Sequence, residues 1–407
     1  MLKKIKSNYM ILILIGFYFV THLPSLVELP VFADESIYIR WAQLIIDDWK
    51  RYLFFPMNDG KTPLFIWILV PFQFLFKNQL FAGRIVSLLV GLVQVLVNIK
   101  TIEVLGGRKK TKLVVGLLTI VLPFWYFQHR MALMDGLLTL FSSFTFLTLL
   151  KVIKKQKSVV LTKENFIKNL FDKSSMKLLL FAGLSFGLAI LTKIPAVLFI
   201  PSFYLSIFFI SKKDFSNLFL SFFKVSLSMF VGLVIFGLLK INPVFGQLFS
   251  RGGDFLFPIS EIIGGKWKET IPNIPNYINY FFVYLTPGIM IASIVGLFSK
   301  KHKTIIHILF WSGVSFILPI ALMGKTVYPR YLFPASFFFT LASAISLEGI
   351  IVNAFNKNNK LWSKILVSII VSLLISNTIT SSINFINFSI FNPNATPFVS
   401  SDKTQYL

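Results

Sequence analysis

Val225-Ser-Leu-Ser-Met-Phe-Val-Gly-Leu-Val-Ile-Phe-Gly-Leu-Leu239 runs without a charge, and Tyr9 to Val20 and Leu113 to Phe127 repeat the pattern. With their flanks these runs approach the roughly 20 apolar residues that cross about 30 Å of hydrocarbon. The chain as a whole agrees: of 407 residues, 55% are hydrophobic and only 14% charged, with 47 Phe. A soluble domain carries about a quarter charged residues. The short alternating segments of an outer-membrane barrel are missing, so the spans are expected to be helices. The fold class expected is therefore an all-α polytopic membrane protein.

A net charge of +24 would suggest nucleic acid in a soluble protein. Here Lys and Arg sit largely between hydrophobic runs, which is the pattern of cytoplasmic loops, and no nucleic-acid partner is expected. Lys3, Lys4 and Lys6 precede the first span, and no small-residue cleavage site follows it, so it reads as a retained anchor. Cysteine is absent, which excludes disulfides and thiolate metal sites.

Threading the basic clusters inside gives about eleven spans. Span one carries Asp34 to the outer side, and span two returns to Arg108-Lys-Lys110. Spans three and four form a hairpin around Gln128-His-Arg130 and return to the Lys-rich stretch 151–177. A further hairpin has its outer tip at Leu191-Thr-Lys-Ile-Pro195 and ends at Lys212 and Lys213. An outer loop rich in Gly and Pro, 240–277, follows span seven. Spans eight and nine flank Lys300-Lys-His-Lys303, the turn Lys325-Thr-Val-Tyr-Pro-Arg330 faces outward, and span eleven sends the tail outside. The sequons at Asn387 and Asn394 would fall in that tail.

The chemistry is sought in the first outer loop, 28–81, because six of the 16 acidic residues lie between Glu28 and Asp59. From Ser36 the polar positions Arg40, Gln43, Asp47, Lys50 and Arg51 recur every three or four residues, opposite Ile37, Trp41, Leu44, Ile45 and Trp49. That spacing predicts an amphipathic helix lying in the interface. The segment from Lys61 to Phe76 is apolar enough to span, but counting it would put the Arg108 cluster outside, so a re-entrant or interfacial helix is expected.

Asp34-Glu35, Lys61-Thr-Pro-Leu-Phe-Ile-Trp67, His129-Arg-Met-Ala-Leu-Met-Asp-Gly136, Gly187-Leu-Ala-Ile-Leu-Thr-Lys-Ile-Pro195 and Tyr328-Pro-Arg-Tyr-Leu-Phe-Pro334 follow one another in order. Together they resemble the GT-C glycosyltransferases of the protein O-mannosyltransferase and lipid A aminoarabinose transferase type. The resemblance covers residues 1–340, a transmembrane catalytic module, and leaves 341–407 as C-terminal helices and a short outer tail. It departs from the pattern at Thr62-Pro63, where relatives often have paired prolines, and at Ile194, where they often have glycine. Many relatives also end in a larger outer domain, and that difference leaves the acceptor open.

The resemblance implies transfer of a sugar from a polyprenyl-phosphate donor to a protein, lipid or glycan acceptor, with inversion, at the outer face of a plasma or inner membrane. Such a reaction needs a general base for the acceptor and cations for the departing phosphate. Asp34 is the expected base. Glu35 is either a second acid or a carboxylate satisfying the dipole of the amphipathic helix. Lys61, Arg84, Arg130, Lys193, Lys325 and Arg330 fall at outer ends of spans, where each could contact phosphate or simply snorkel to the interface. Lys61, Arg84, Arg130, Lys193 and Arg330 are taken as phosphate ligands, and Asp135 and Tyr331 as orienting residues. A structural pair between Arg130 and Asp135 is also expected.

Asp47, Asp48 and Asp59 read as solvated acids, and Trp41, Trp67, Trp125 and Trp267 as lipid-facing or interfacial. His22, His129, His302 and His307 show no ligand spacing, so neither a metal site nor a cofactor is expected; the lipid-linked sugar is a substrate. The rival class is a transporter or lipid flippase, which would gather its ionisable groups near mid-membrane on broken helices. A non-catalytic assembly protein, and a ligase moving whole glycans from a diphosphate carrier, are further rivals.

The topology is testable because the chain has no native cysteine. Cysteines placed at 34 and 330 should react with an impermeant thiol reagent on intact cells, and those at 109 and 155 only after permeabilisation. Labelling of position 109 from outside would overturn the arrangement.

Overall fold

A computed structural model describes residues 2–156, 163–211, 215–299, 301–326, 328–354 and 361–391. Among them the structure is helical, with a single isolated bridge between Leu256 and Gly324. The first half contains α1 (Leu2–His22), α2 (Ala33–Asp47), α3 (Leu64–Leu75), α4 (Gln79–Leu105), α5 (Lys109–Val121), α6 (Met134–Lys155) and α7 (Lys173–Thr192). The second contains α8 (Ile200–Ser211), α9 (Phe215–Gly237), α10 (Ile274–Tyr284), α11 (Pro287–Gly296), α12 (Lys303–Met323), α13 (Ser336–Ala354) and α14 (Leu361–Phe391).

Eight helices among the described residues are long and apolar enough to cross a membrane, or nine if the pair that includes α10 and α11, bent by 106°, is one span. The expected count of eleven is therefore not reached by length and composition. The apolar part of α1 is only Tyr9–His22, and α5 is 13 residues long. At the bend between α10 and α11, Thr286 takes φ 68°, a left-handed conformation costly for a β-branched residue, and its hydroxyl lies 3.0 Å from that of Thr378. Helix α3, at 12 residues, is too short to span, as expected for a re-entrant or interfacial element.

The expected amphipathic helix forms as α2, one turn earlier than Ser36, because Asp34 and Glu35 occupy its first turn. Tyr38, Trp41, Ala42 and Ile45 are buried against α3, whereas Ile37 and Trp49 remain exposed. The loop 240–277 is built of short helical turns, and it is pinned where Phe257 N–H donates to Met323 C=O at 2.8 Å and Lys325 N–H to Phe255 C=O at 2.9 Å. Asn387 sits on the last helix, while the Asn394 sequon lies outside the described residues.

Polar residues inside apolar helices pair with one another, since no water is there to satisfy them. Gln94 donates to Asn98 at 2.7 Å and to Ser143 at 3.0 Å, and Asn98 donates to Thr119 at 2.9 Å, joining α4, α5 and α6. Trp125, read from sequence as a lipid-facing or interfacial ring, is instead fully buried with its indole N–H on Thr340 at 3.0 Å.

Helix α7 packs on α6 and α9. Its contact with α9 depends on small residues: a Cβ on Gly232 would lie 3.0 Å from both Gly183 O and Gly187 N, and one on Gly183 would lie 2.8 Å from Ser228 O. Close backbone approach of this kind maximises van der Waals contact where no hydrophobic force favours helix over lipid. Because α7 ends at Thr192, its packing sets the position of Lys193.

Gly232→Leu should force the two backbones apart, at a cost of about 1–3 kcal/mol for overpacking. A clear drop in the midpoint of thermal unfolding in detergent is expected, with Gly246→Leu as the control, since nothing surrounds that glycine. Equal midpoints for the two variants would show that the α7–α9 contact is not tight.

Candidate active site

Two consecutive carboxylates in the first turn of α2 take separate roles because neighbouring helical residues point about 100° apart. Glu35 turns inward. Its Oε1 accepts from Arg84 Nε at 2.8 Å and from Ala132 N–H at 2.7 Å, and its Oε2 from Arg84 Nη2 at 2.8 Å and Phe32 N–H at 3.0 Å. Arg84 also donates to the carbonyls of Leu26, Leu29 and Pro30 at 2.8–3.0 Å. Both side chains are fully buried. Each oxygen of Glu35 accepts two bonds and each nitrogen of Arg84 donates at least one. The pair is therefore occupied as a structural tie, and its geometry does not suit Arg84 as a phosphate ligand or Glu35 as a second acid.

Arg130 is likewise buried. Its guanidinium lies 5.1 Å over the Tyr126 ring, donates to the Tyr126 hydroxyl, and reaches Ser25 C=O at 2.7 Å. It ties the turn before α6 to the segment just after α1. The expected Arg130–Asp135 pair gives way to another: Asp135, in the first turn of α6, accepts from Lys193 Nζ at 2.7 Å.

Asp34 points to a different side of α2 from Glu35 and is bound by Arg330. That guanidinium is enclosed by the rings of Phe32, Tyr331 and Tyr328 at 5.1, 5.5 and 5.7 Å. Tyr331 also lies 5.3 Å from Lys193 Nζ, so this ring links the two ion pairs. Lys193 owes its position to a chain break. It leaves the helical region (φ −164°, ψ 129°) after α7, and Pro195 starts a tighter turn that cannot continue the same helix. Lys61 follows Gly60, whose φ of 68° closes the Phe55–Asp59 turn.

The charges act on one another. Burial pushes the Asp34 carboxyl up, but Arg330, Lys61 and Lys193 together hold it below the ordinary carboxylate range. Burial, then the charge of Lys193, lowers Lys61, with Asp34 opposing. Tyr38, one turn along α2 from Asp34, was missed in the sequence, although the i, i+4 spacing could have exposed it. Burial first, and then the Asp34 charge, push its phenol well above the ordinary value, which keeps its proton in place as a donor.

The cluster thus holds Asp34, Asp135, Lys61, Lys193, Arg330, Tyr38 and Tyr331. Each carboxylate engages one cation. Among the described residues the Lys61 ammonium has no hydrogen-bond or ion-pair partner, and Arg330 Nε has no hydrogen-bond partner. Asp59, read as solvated, is paired with Arg251 at 2.5 Å, and Arg251 also reaches Asp254 at 3.1 Å, so the 240–277 loop is fastened beside the turn that carries Lys61. Asp48 caps the short Trp49–Tyr52 helix by accepting from Arg51 N–H at 3.2 Å. Lys325 lies outside the cluster, donating to Gly253 C=O at 2.5 Å. Among the described residues no three His, Asp or Glu side chains converge as a metal site would require.

Residues 57–244 match the family model described as dolichyl-phosphate-mannose-protein mannosyltransferase. No curated protein sequence matches the chain. Among solved structures, the Archaeoglobus fulgidus oligosaccharyltransferase in the apo form is similar with TM-score 0.64 and 13% identity, over 98% of this chain and 59% of that one. The same organism's oligosaccharyltransferase AglB, in complex with an inhibitory peptide and a dolichol-phosphate, is similar with TM-score 0.62 and 12% identity, over 96% and 56%. ArnT from Cupriavidus metallidurans bound to undecaprenyl phosphate is similar with TM-score 0.57 and 15% identity, over 96% and 75%. The chain spans about three-fifths of the length of the oligosaccharyltransferase. With this helical order and these structural relatives, the chain is a helical membrane protein that shares the GT-C fold.

Proposed function

We propose that this protein transfers a sugar from a polyprenyl-phosphate donor to an acceptor, with inversion, at the outer face of a plasma or inner membrane. The observation that carries the reading is the cation excess around Asp34: three cations face two carboxylates, and the Lys61 ammonium has no partner among the described residues. A site so arranged is incomplete without an anion. The family model and the dolichol-phosphate and undecaprenyl-phosphate complexes of the structural relatives support a lipid phosphate as that anion.

In the transfer, an acceptor hydroxyl attacks the anomeric carbon while the bond from that carbon to the phosphate oxygen breaks. The hydroxyl proton passes to Asp34. The electron pair of the broken bond stays on the polyprenyl phosphate, whose added negative charge Lys61 and Arg330 stabilise. Before the donor binds, Asp34 is held by Arg330 and is a weak base. Donor phosphate competes for the guanidinium, loosens that pair and adds negative charge nearby, and both changes raise the proton affinity of Asp34 towards the range a general base requires. Lys193 serves as a positioning cation fixed by Asp135. The acceptor class, whether protein, lipid or glycan, is left to a direct assay.

Purified protein incubated with defined polyprenyl-phosphate sugars, with released carrier and product read by mass spectrometry, tests the reaction. Asp34→Asn should lower turnover by at least about 100-fold, the lower end of general-base contributions, with donor binding retained. Near-wild-type transfer by that variant would remove the base assignment.

The charge linkage yields a second expectation. Lys61 lowers the Asp34 pKa, so Lys61→Ala should raise it and move the acid limb of the rate profile to higher pH. Arg330→Lys should not restore full donor use, because a point charge lacks the guanidinium fork. An unmoved acid limb in Lys61→Ala, with unchanged turnover in Arg330→Lys, would mean that these cations do not act at the reacting phosphate.

A further inference from the structure

Helices α4, α6, α8 and α12 converge around a cavity of about 330 Å³. Leu105 of α4, Phe209 and Ile210 of α8, and Ile305 and Ile308 of α12 form its walls, with Lys154 of α6 and Thr304 at the rim. Arg84 and Asp135 lie near the opposite ends of α4 and α6, and α4, with 27 residues, is about 40 Å long. The cavity therefore lies on the far side of the membrane from the candidate active site, at the face where the basic clusters gather.

Its chemistry is two-part. Five apolar side chains make an interior within the range of ligand pockets, roughly 300–1,000 Å³. Lys154 at the rim is exposed and gives one of its three N–H bonds to Val104 C=O at 2.7 Å, which leaves two for a ligand. Lys155 and Lys303 adjoin the rim in sequence. Two carboxylates at this end are engaged by other cations, Glu103 by Lys100 at 2.8 Å and Lys112 at 3.8 Å and Glu348 by Arg108 at 3.2 Å, so neither is paired with Lys154.

We propose that this cavity is a site for an anionic phospholipid of the cytoplasmic leaflet, with an acyl segment against the α8 and α12 walls and the headgroup phosphate on Lys154. Free phosphate would have no use for the apolar walls, and a zwitterionic lipid would set its own cation against Lys154. The site is separate from the transfer chemistry and does not depend on it.

The test uses the full-length protein in detergent, titrated with dioleoyl phosphatidylglycerol or dioleoyl phosphatidylcholine and read by native mass spectrometry. Wild type should prefer the anionic lipid by about fivefold or more, the contribution of one basic residue near an anionic headgroup. Lys154→Gln should abolish most of that preference, and Ile210→Trp, which fills the cavity, should weaken both lipids. Lys268→Gln makes the same charge change in the outer loop and should alter nothing. The proposal is overturned if wild type binds the two lipids equally, if Lys154→Gln and Ile210→Trp both bind phosphatidylglycerol as wild type does, or if millimolar inorganic phosphate alone displaces it.

Discussion

The buried ion pair of Glu35 and Arg84 is the constraint on which the candidate site rests. A charge removed from water is tolerated only with a partner and a full set of hydrogen bonds, and deleting one partner costs about 3–5 kcal/mol. Here the condition is met by drawing the 26–30 turn, the start of α2, helix α4 and the backbone at Ala132 onto one point. With Glu35 fixed inward, the helix geometry turns Asp34 about 100° away from it, towards Arg330. The orientation of Asp34 thus depends on an interaction in which it takes no part.

The remaining members of the cluster stand where helices stop. Lys193 follows the end of α7, Lys61 follows a left-handed glycine, and Arg330 sits in a short turn before α13. Chain breaks of this kind bring side chains from distant spans to one level. Fastening of the 240–277 loop through Arg251 and through the strand-like contact at Leu256 closes the surroundings of the same region. Its electrostatics are unbalanced towards cations, which is the imbalance the proposed phosphate site requires.

Two ends of one helical bundle are charged for different reasons. At the end that carries Asp34 a few cations are set among aromatic rings, with Arg330 and Lys193 paired with carboxylates and the Lys61 ammonium without a partner among the described residues. At the opposite end Lys is abundant and largely exposed. A cavity with apolar walls among those lysines meets the chemical requirements of a lipid headgroup and chain together.

The sequence by itself determined the class: long uncharged runs and basic clusters between them allow only a helical membrane protein, and the i, i+4 pattern after Asp34 set an amphipathic helix where α2 forms. The order of short motifs was enough to resemble GT-C glycosyltransferases, because each motif is local. Which ionisable groups meet was not local. Arg84 and Arg130 lie at span ends just as Lys193 and Arg330 do, yet they turn inward to bind Glu35, Tyr126 and backbone carbonyls. Asp135 pairs with Lys193, 58 residues away, in place of Arg130. Periodicity assigns a face to each side chain, but the partner across that face is chosen by helix packing, set here by contacts such as Gly183 and Gly187 on Gly232. Only the tertiary structure could decide which charges were spent on holding the fold and which were left facing the site.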